Sequence, residues 1–202
     1  MGAILSNLRN TVVASIVLVV LLIILIGSWH NAGMAFDHGW WAFALRWLHV
    51  LGGIMWIGIL YYFNFVQIPN MPKIDDEMKP AITKIIAPAA LFWFRWGAMW
   101  TIVTGLILAW MNGYIVDALT IGLNSGSAQH SMIGIGMWLG LIMWFNVWFI
   151  IWPNQKIALG IDGVEGDKVA AGRTAMLFSR TNTMLSLPML WAMISAQNLF
   201  PS

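Results

Sequence analysis

The stretch WWAFALRWLHVLGGIMWIGILYYFNFVQIP, residues 40–69, decides the fold of this chain. It exceeds the roughly 20 mostly apolar residues that an α-helix needs to cross a bilayer. It nevertheless contains Arg46, His49, Asn64 and Gln67. An arginine at the centre of a membrane costs about 3 kcal/mol on insertion scales, so such residues usually face a bundle interior, a cavity or a cofactor. We therefore predict a membrane-spanning helix with one buried, functional side.

That side of the helix combines a metal ligand, a cation and two glycines. His49 follows Arg46 by three residues, and Gly52 and Gly53 follow His49 by three and four. Residues at these spacings lie on the same side of an α-helix. An imidazole can bind a metal, a guanidinium can bind an anion, and glycines leave a surface that a flat group can approach. These four residues predict a cofactor site.

The composition is that of an integral membrane protein. Of the 202 residues, 60% are hydrophobic and 9% are charged, which is unlike a soluble domain. The net charge of +2 comes from cations spread over several loops, so it gives no support to nucleic-acid binding. The chain has no cysteine, which excludes disulfides, thiolate metal sites, iron–sulfur clusters and a covalently attached c-type haem.

Five apolar segments predict an all-α bundle of transmembrane helices in a single membrane domain, residues 1–202. The approximate helix ranges are 11–28, 40–68, 88–111, 130–152 and 173–197. Prolines mark several of the expected ends, because proline interrupts a helix but suits its first turn. Pro69 and Pro72 are expected to stop the second helix, Pro88 to begin the third and Pro153 to end the fourth. The fifth is expected to kink near Pro188.

Basic residues outside the predicted helices indicate the orientation. Arg9 precedes the first helix, the loops after the second and fourth helices carry three basic residues each, and the other two loops carry none. Positive charge marks the cytoplasmic loops of membrane proteins. We therefore predict a cytoplasmic N-terminus and a periplasmic C-terminus.

This topology brings four histidines near the outer face: His30 and His38 in the first loop, His49 in the second helix, and His130 at the start of the fourth. A glycine follows His130 by four residues, as one follows His49. In a helical bundle, two such histidines can supply the axial ligands of a b-type haem while the glycines admit the porphyrin. We predict haem b on the iron ligands His49 and His130, with Arg46 at its propionates.

Alternatives to this haem site stay open. His30 or His38 could replace His130 as the second ligand. His49 could instead be a buried histidine that a neighbouring hydroxyl or carbonyl satisfies, and His130 could be no more than a residue at a helix end. The spacing of the histidines alone is a weak signal, because it matches no specific ligand motif.

A second set of polar residues lies at one depth near the inner face. At 1.5 Å per residue, its members are about 8–11 Å inside their predicted helix ends. The set comprises Asn64, Arg95, Asn146, Ser179, Arg180, Thr181 and Asn182. These groups could form hydrogen bonds between helices, or bind a planar anion through arginine charge and asparagine amides. The predicted substrate-binding residues are Asn64, Arg95, Asn146, Arg180 and Asn182.

Three long stretches carry a family resemblance. They are RWLHVLGGIMWIGILYYFNFVQIP at 46–69, MWFNVWFIIWPNQK at 143–156 and SRTNTMLSLPMLWAM at 179–193. All three resemble the membrane portion of the bacterial PuuD-type urate hydroxylases, which are membrane-bound, cytochrome c-linked enzymes. The resemblance covers most of the chain from the second helix onward.

The resemblance implies a multi-pass protein of the bacterial inner membrane that oxidises urate to 5-hydroxyisourate and passes electrons through haem b to a cytochrome c. Urate is a flat monoanion, which suits the inner polar layer. The family carries a cytochrome c domain after its membrane helices. Because this chain has no cysteine, its cytochrome c is expected to be a separate partner. No general base stands out, so no catalytic residue is predicted.

A different class of function also fits the sequence. The chain could be a non-catalytic accessory or haem-carrying subunit of a respiratory or photosynthetic electron-transfer complex, which its shortness and aromatic residues favour. Constant co-purification with a larger complex, without urate turnover, would distinguish that subunit from an enzyme. A transporter finds less support, because the predicted spans contain no carboxylate for proton coupling and no inverted repeat is evident.

Overall fold

The computed structural model describes residues 2–29 and 35–200, and the regular elements in these two ranges are all helical. The predicted all-α class is confirmed for the described residues. Contacts divide the chain into two compact units, Met1–Trp41 and Ala42–Ser202. The single membrane domain stays a prediction.

The first unit contains helix α1 (Leu8–Trp29) and the beginning of helix α2 (His38–Tyr61). Leucine, isoleucine and valine side chains are exposed all round α1, which is typical of a helix whose solvent is lipid. The Oδ1 of Asp37 accepts a hydrogen bond of 2.9 Å from the Trp40 N–H and so caps α2. The predicted alternative ligand His30 lies outside the described residues, and His38 is the first residue of α2.

The second unit holds the other helices. The rest of α2 comes first and is continued by a π-helix (Tyr62–Gln67) and the segments Ile68–Asn70 and Met71–Lys73. Helix α3 (Ala87–Met111) is preceded by Lys79–Ala81 and a π-helix (Ile82–Ile86), and α4 (Ile115–Leu119) follows it. Helix α5 (Ala128–Phe145) is continued by a π-helix (Asn146–Ile151) and Trp152–Leu159, and a 3₁₀ turn (Ile161–Gly163) precedes α6 (Lys168–Asn198). The short α4 lies within a segment, 112–129, that the sequence predicts to be a loop.

Four continuous helices in the described part are long and apolar enough to cross a membrane. They are Leu8–Gly27, His38–Lys73, Lys79–Met111 and Ala128–Leu159. By this measure four of the five predicted segments qualify as spans, and the fifth span stays a prediction. The fifth predicted segment does form a helix, α6, but Arg173, Arg180 and the hydroxyl and amide side chains near them make its first half polar. The direction in which the helices cross stays a prediction.

Each of the three π-helices ends two residues before a proline, at Pro69, Pro88 or Pro153. Proline has no N–H, and its ring clashes with the carbonyl four residues earlier in an α-helix. The wider turn of a π-helix shifts the hydrogen-bond register, so the chain stays helical through the proline. The sequence predicts that Pro69 and Pro153 end their helices and that Pro88 begins one. In the structure each of these prolines lies inside a continuous helix. Helix α6 likewise continues through Pro188.

Helix α2 approaches α3 closely along a stripe of small residues on α3. Gly97, Thr101 and Gly105 recur every four residues and so share one face of α3. A Cβ built at Gly97 would lie 3.2 Å from the backbone nitrogen of Trp56, and one at Gly52 would lie 2.9 Å from Thr101 Oγ1. Small residues allow helix backbones to come this close in membrane proteins. The stripe therefore sets the position of α2 against α3.

The apolar core lies among α2, α3, α5 and α6. Its fully buried side chains include Trp56, Leu60, Leu91, Phe94, Met143, Val147 and Ile151. Phe63 meets Phe94 edge to face with ring centroids 5.8 Å apart, a preferred arrangement for aromatic pairs. Through Trp56, this core borders the cavity described next.

Candidate functional site

A cavity of about 570 Å³ lies between α2, α3, α5 and α6. Its volume is within the range of about 300–1,000 Å³ that is usual for ligand and cofactor sites. Apolar side chains make up most of its wall, and a few polar side chains also line it. The residues that line it include Arg46, His49, Gly53, Gly58, Tyr114, Met137, Met189, Met193 and Gln197. We refer to it as the main cavity.

His49 enters the main cavity from α2 in a fixed orientation. Its Nδ1 lies 2.8 Å from the backbone carbonyl oxygen of Thr101, and the Thr104 hydroxyl lies 3.5 Å from the same nitrogen. A carbonyl can only accept a hydrogen bond, so Nδ1 is the donor and carries the proton. In the neutral imidazole this leaves Nε2 with a free lone pair. A hydrogen bond from the other nitrogen is how protein structures orient a histidine that ligates a metal.

The glycines around His49 have different roles. A Cβ at Gly105 would lie 2.9 Å from Cε1 and 3.0 Å from Nδ1 of His49, so the imidazole packs directly on the α3 backbone. Gly53 and Gly58 line the main cavity, and a Cβ at either would meet nothing within 4 Å. Gly52 does not line the cavity, because it faces Trp100 and Thr101 on α3. Of the two glycines predicted for the cofactor, only Gly53 borders the open space.

Three methionines that the sequence analysis did not single out line the main cavity together with His49. Met137 comes from α5, and Met189 and Met193 come from adjacent turns of α6. A thioether is a soft, adaptable group that can fill space or ligate haem iron. The four-residue spacing of Met189 and Met193 was the available signal, but the same spacing is common in ordinary helix packing.

A second cavity of about 280 Å³ has a more polar wall, and we call it the polar cavity. It is lined by Arg46, Asn112, Tyr114, Gln129, His130, Ile133, Ala196 and Gln197. Four of these residues, Arg46, Tyr114, Ile133 and Gln197, also line the main cavity. The two cavities therefore adjoin each other through a shared wall.

His130 lines the polar cavity and not the main cavity. Its Nδ1 lies 2.9 Å from Ser125 Oγ and 3.7 Å from Asp117 Oδ2, and its ring stacks with that of Tyr114 at a centroid distance of 6.2 Å. Gly134, the glycine four residues later, accommodates the carbonyl of Ala118. The predicted pair of histidines thus lies along two adjoining cavities and does not share one.

The inner polar residues form hydrogen bonds between helices. Asn64 Nδ2 donates to Ser179 Oγ at 2.7 Å and to a carbonyl of its own helix. Asn146 Nδ2 donates to Asn182 Oδ1 at 2.8 Å, and Asn182 Nδ2 donates to the Met143 carbonyl at 2.9 Å. All of these amides are buried. The Oδ1 of Asn64 is buried without a hydrogen-bond partner among the described residues.

The two arginines predicted for this inner layer point elsewhere. The Arg95 guanidinium carbon lies 3.3 Å from the ring centroid of Trp152, which is a close cation–π contact. Arg180 is exposed, whereas Ser179 and Asn182 on the same helix are buried. Neither of the two cavities is lined by any of the five residues predicted to bind substrate.

Titratable groups outside the membrane-spanning segments add two local effects. Burial raises the pKa of the Tyr114 phenol at the wall of both cavities, and the charge of Arg46 opposes that rise in part. In the loop before α3, Lys79 donates a hydrogen bond to Asp76 and lowers the pKa of that fully exposed carboxyl. Only the first of these groups belongs to the candidate site.

Comparison with known families gives one match. Residues 109–201 match the family model described as urate oxidase N-terminal. The match covers just under half of the chain and includes α4, α5 and α6, which carry His130, the three methionines and the Asn146–Asn182 pair. No curated protein and no solved structure matches the chain. The family match is consistent with a urate-hydroxylase-related family.

Proposed function

We propose that this protein is a membrane-bound oxidoreductase that oxidises urate or a closely related purine, holds a b-type haem through His49 and delivers electrons to a cytochrome c. The observation that carries the proposal is His49, fixed by the Thr101 carbonyl with Nε2 free beside a cavity of about 570 Å³. The match of residues 109–201 to the urate oxidase N-terminal model supports the choice of substrate. The long apolar helices support a place in a membrane.

The residues around the main cavity fit a haem. His49 offers a nitrogen ligand whose orientation is set by a hydrogen bond at its other nitrogen. Gly53 and Gly58 line the main cavity and leave space beside the α2 backbone for a flat group. When bound, the haem supplies one-electron redox chemistry. The chain's part is to ligate the iron through His49 and to exclude water with apolar side chains.

The second iron ligand is drawn from two kinds of residue. Met137, Met189 and Met193 line the same cavity as His49, and a histidine–methionine pair is a known haem ligation. His130 was predicted from the sequence for this role, but it lines the adjoining polar cavity. The arrangement of side chains therefore favours a methionine.

An accessory subunit of an electron-transfer complex is the second candidate function. Trp93, Trp96 and Trp100 lie three and four residues apart on α3 and are each about half exposed. Such a row on one face of a helix suits packing against lipid or against a helix of a partner. Purification from a native membrane would separate the two functions, because an accessory subunit remains with its complex and does not turn over urate.

The test of the proposed function is the absorption difference spectrum of the purified chain, reduced minus air-oxidised. Dithionite is expected to produce a b-type spectrum, and urate as sole reductant is expected to produce the same bands. The variant His49→Ala is expected to lose the haem, whereas Arg180→Gln, on an exposed helix face, keeps it. Haem that dithionite reduces and urate does not would replace the enzyme with an electron-transfer subunit. A chain without haem would overturn the role of His49.

A further inference from the structure

We infer that the polar cavity, and not the inner layer of amides, binds the planar anion. This inference rests on the proposed function and gives its substrate a place: urate, or another flat organic monoanion, lies against Arg46 and His130. The cavity is assigned from its charge, its polar wall and its position beside the main cavity.

Arg46 provides a positive charge that no carboxylate neutralises. It forms no ion pair within the described residues, where Asp117 faces His130 at 3.7 Å and Asp76 faces Lys79. A guanidinium at the edge of a largely apolar bundle attracts an anion strongly, and its planar fork matches a flat, delocalised acceptor. The polar cavity therefore selects a negatively charged ligand.

The rest of the wall can match both donors and acceptors on a heterocycle. Asn112, Gln129 and Gln197 each present an amide with both a carbonyl oxygen and an NH₂ group. The Nδ1 of His130 is engaged by Ser125, and no described residue forms a hydrogen bond to its Nε2. A purine edge alternates donors with acceptors, so side-chain amides and an imidazole suit it better than charge alone.

The position of the polar cavity suits an electron donor. Arg46, Tyr114, Ile133 and Gln197 border both cavities, so an anion on one side of this wall is adjacent to a cofactor on the other. The inner layer offers no comparable arrangement. Its amides are hydrogen-bonded to one another, and Arg180 faces outward.

Equilibrium binding of radiolabelled urate to the full chain in lipid nanodiscs tests the inference. Loss of a charge-assisted hydrogen bond costs about 1.5–3 kcal/mol, which corresponds to a rise in Kd of about tenfold or more. Arg46→Gln and His130→Gln are both expected to show such a rise. Arg180→Gln is the matched control, because it removes a guanidinium from the predicted inner layer, and its Kd is expected to equal that of the unmodified chain.

His130→Gln separates the polar cavity from the haem site, because His130 lines only the polar cavity. If it fails to fold, Gln129→Leu serves the same purpose. Unchanged urate binding in Arg46→Gln and in the variants of this cavity would overturn the inference while leaving the urate reaction intact. If urate binding is weaker in Arg180→Gln and in none of the other variants, the urate site is the inner layer predicted from the sequence.

Benzoate is a flat monoanion that is not a purine. Its binding distinguishes failure of the proposed anion site from failure of urate as the ligand. Binding of benzoate that depends on Arg46 and His130, without binding of urate, would support the anion site and remove urate as its ligand. Binding of neither anion would overturn the site, whatever the absorption spectrum shows about the haem.

Discussion

The imidazole of His49 is held from two directions, by the carbonyl of Thr101 and by the backbone at Gly105. The first contact selects the tautomer and the second fixes the plane of the ring. Neither contact depends on a side chain that could rotate away. The orientation of this imidazole therefore follows from the packing of α2 on α3.

Gly105→Ala tests this arrangement directly. A methyl group 2.9 Å from the His49 ring would force the ring away from the Thr101 carbonyl, and overpacking of this kind costs about 1–3 kcal/mol. We expect a lower free energy of unfolding and a lower haem content. Gly172→Ala is the control, because a Cβ there would be at an ordinary 3.7 Å from Ala158. Equal behaviour of the two variants would show that His49 is not held by Gly105.

The buried phenol of Tyr114 predicts a pH effect. Burial raises its pKa in the folded chain, whereas in the unfolded chain it ionises near pH 10. The contribution of Tyr114 to stability is therefore unchanged below about pH 10 and is lost as the pH rises toward the folded-state pKa. The difference between the phenolate titrations of the unmodified chain and of Tyr114→Phe is expected to show ionisation above pH 10. Ionisation below the ordinary range would mean that the charge of Arg46 outweighs burial.

The Asn146–Asn182 pair predicts a structural cost that is separate from ligand binding. Asn146→Ala leaves the buried Oδ1 of Asn182 without its donor, which costs about 1–3 kcal/mol. The double variant Asn146→Leu, Asn182→Leu removes both partners and is expected to destabilise by less than the sum of the single variants Asn146→Leu and Asn182→Leu. Unfolding in detergent measures all four variants. A tenfold weaker urate affinity in the folded single variant would instead support the substrate role predicted from the sequence.

At the scale of helices, the repeated placement of a π-helix two residues before a proline explains why the prolines were misread as helix ends. A proline predicts a break when the preceding turn is α-helical. A proline does not break the helix when the preceding turn is a π-helix, because the hydrogen-bond register has already changed there. No evident sequence pattern marks such a turn. The predicted ends at residues 68 and 152 therefore fall before the ends of the continuous helices His38–Lys73 and Ala128–Leu159.

Pro153→Ala tests the link between the proline and the π-helix. An alanine restores an N–H that can bond to the carbonyl of Phe149, which favours an α-helical turn over the π-helix Asn146–Ile151. A π-helical turn holds about one residue more than an α-helical turn. A change to the α-helical turn would therefore rotate Asn146 away from Asn182. We expect destabilisation of about 1–3 kcal/mol. Pro72→Ala is the control, since Pro72 lies in a short 3₁₀ turn that directly follows the α-helical segment Ile68–Asn70 and not a π-helix. An equal loss there would contradict the link.

The same scale shows what the sequence could predict about the inner layer. The sequence predicts that these polar residues share one depth, and in the structure Asn64 meets Ser179 and Asn146 meets Asn182. Depth along a helix does not determine the face on which a side chain lies. Ser179 and Asn182 are three residues apart and share a face, whereas Arg180 is turned by about 100° from Ser179. Polar residues that are adjacent in sequence therefore lie on different faces of the helix, one buried and one exposed.

For the whole molecule, the apolar segments and the all-α class followed from composition, because about 20 apolar residues have few other stable states. The main cavity did not. It is formed by gaps between four helices, and its methionines come from two segments that are about 50 residues apart in sequence. His49 could be identified from its cost in a membrane, whereas an apolar wall has no such signal.

The orientation of the whole chain can be tested with single cysteines, since the natural sequence has none. Lys79→Cys and Lys168→Cys are expected to react with an impermeant maleimide from the cytoplasmic side of inverted vesicles. Asn124→Cys, in the exposed turn before α5, is expected to react only from the opposite side. Labelling of Asn124→Cys and Lys79→Cys from one side would contradict the orientation predicted from the basic residues.

The glycine and threonine stripe on α3 has a consequence for how this protein can diverge. Main chain forms the wall behind His49, and this wall is the same in every variant that keeps the helix and Gly105. The facing positions 137, 189 and 193 are side chains on other helices. Descendants of this sequence can therefore exchange the groups that line the cavity with the imidazole, and so change which molecules fit there, while inheriting the imidazole in an unchanged position.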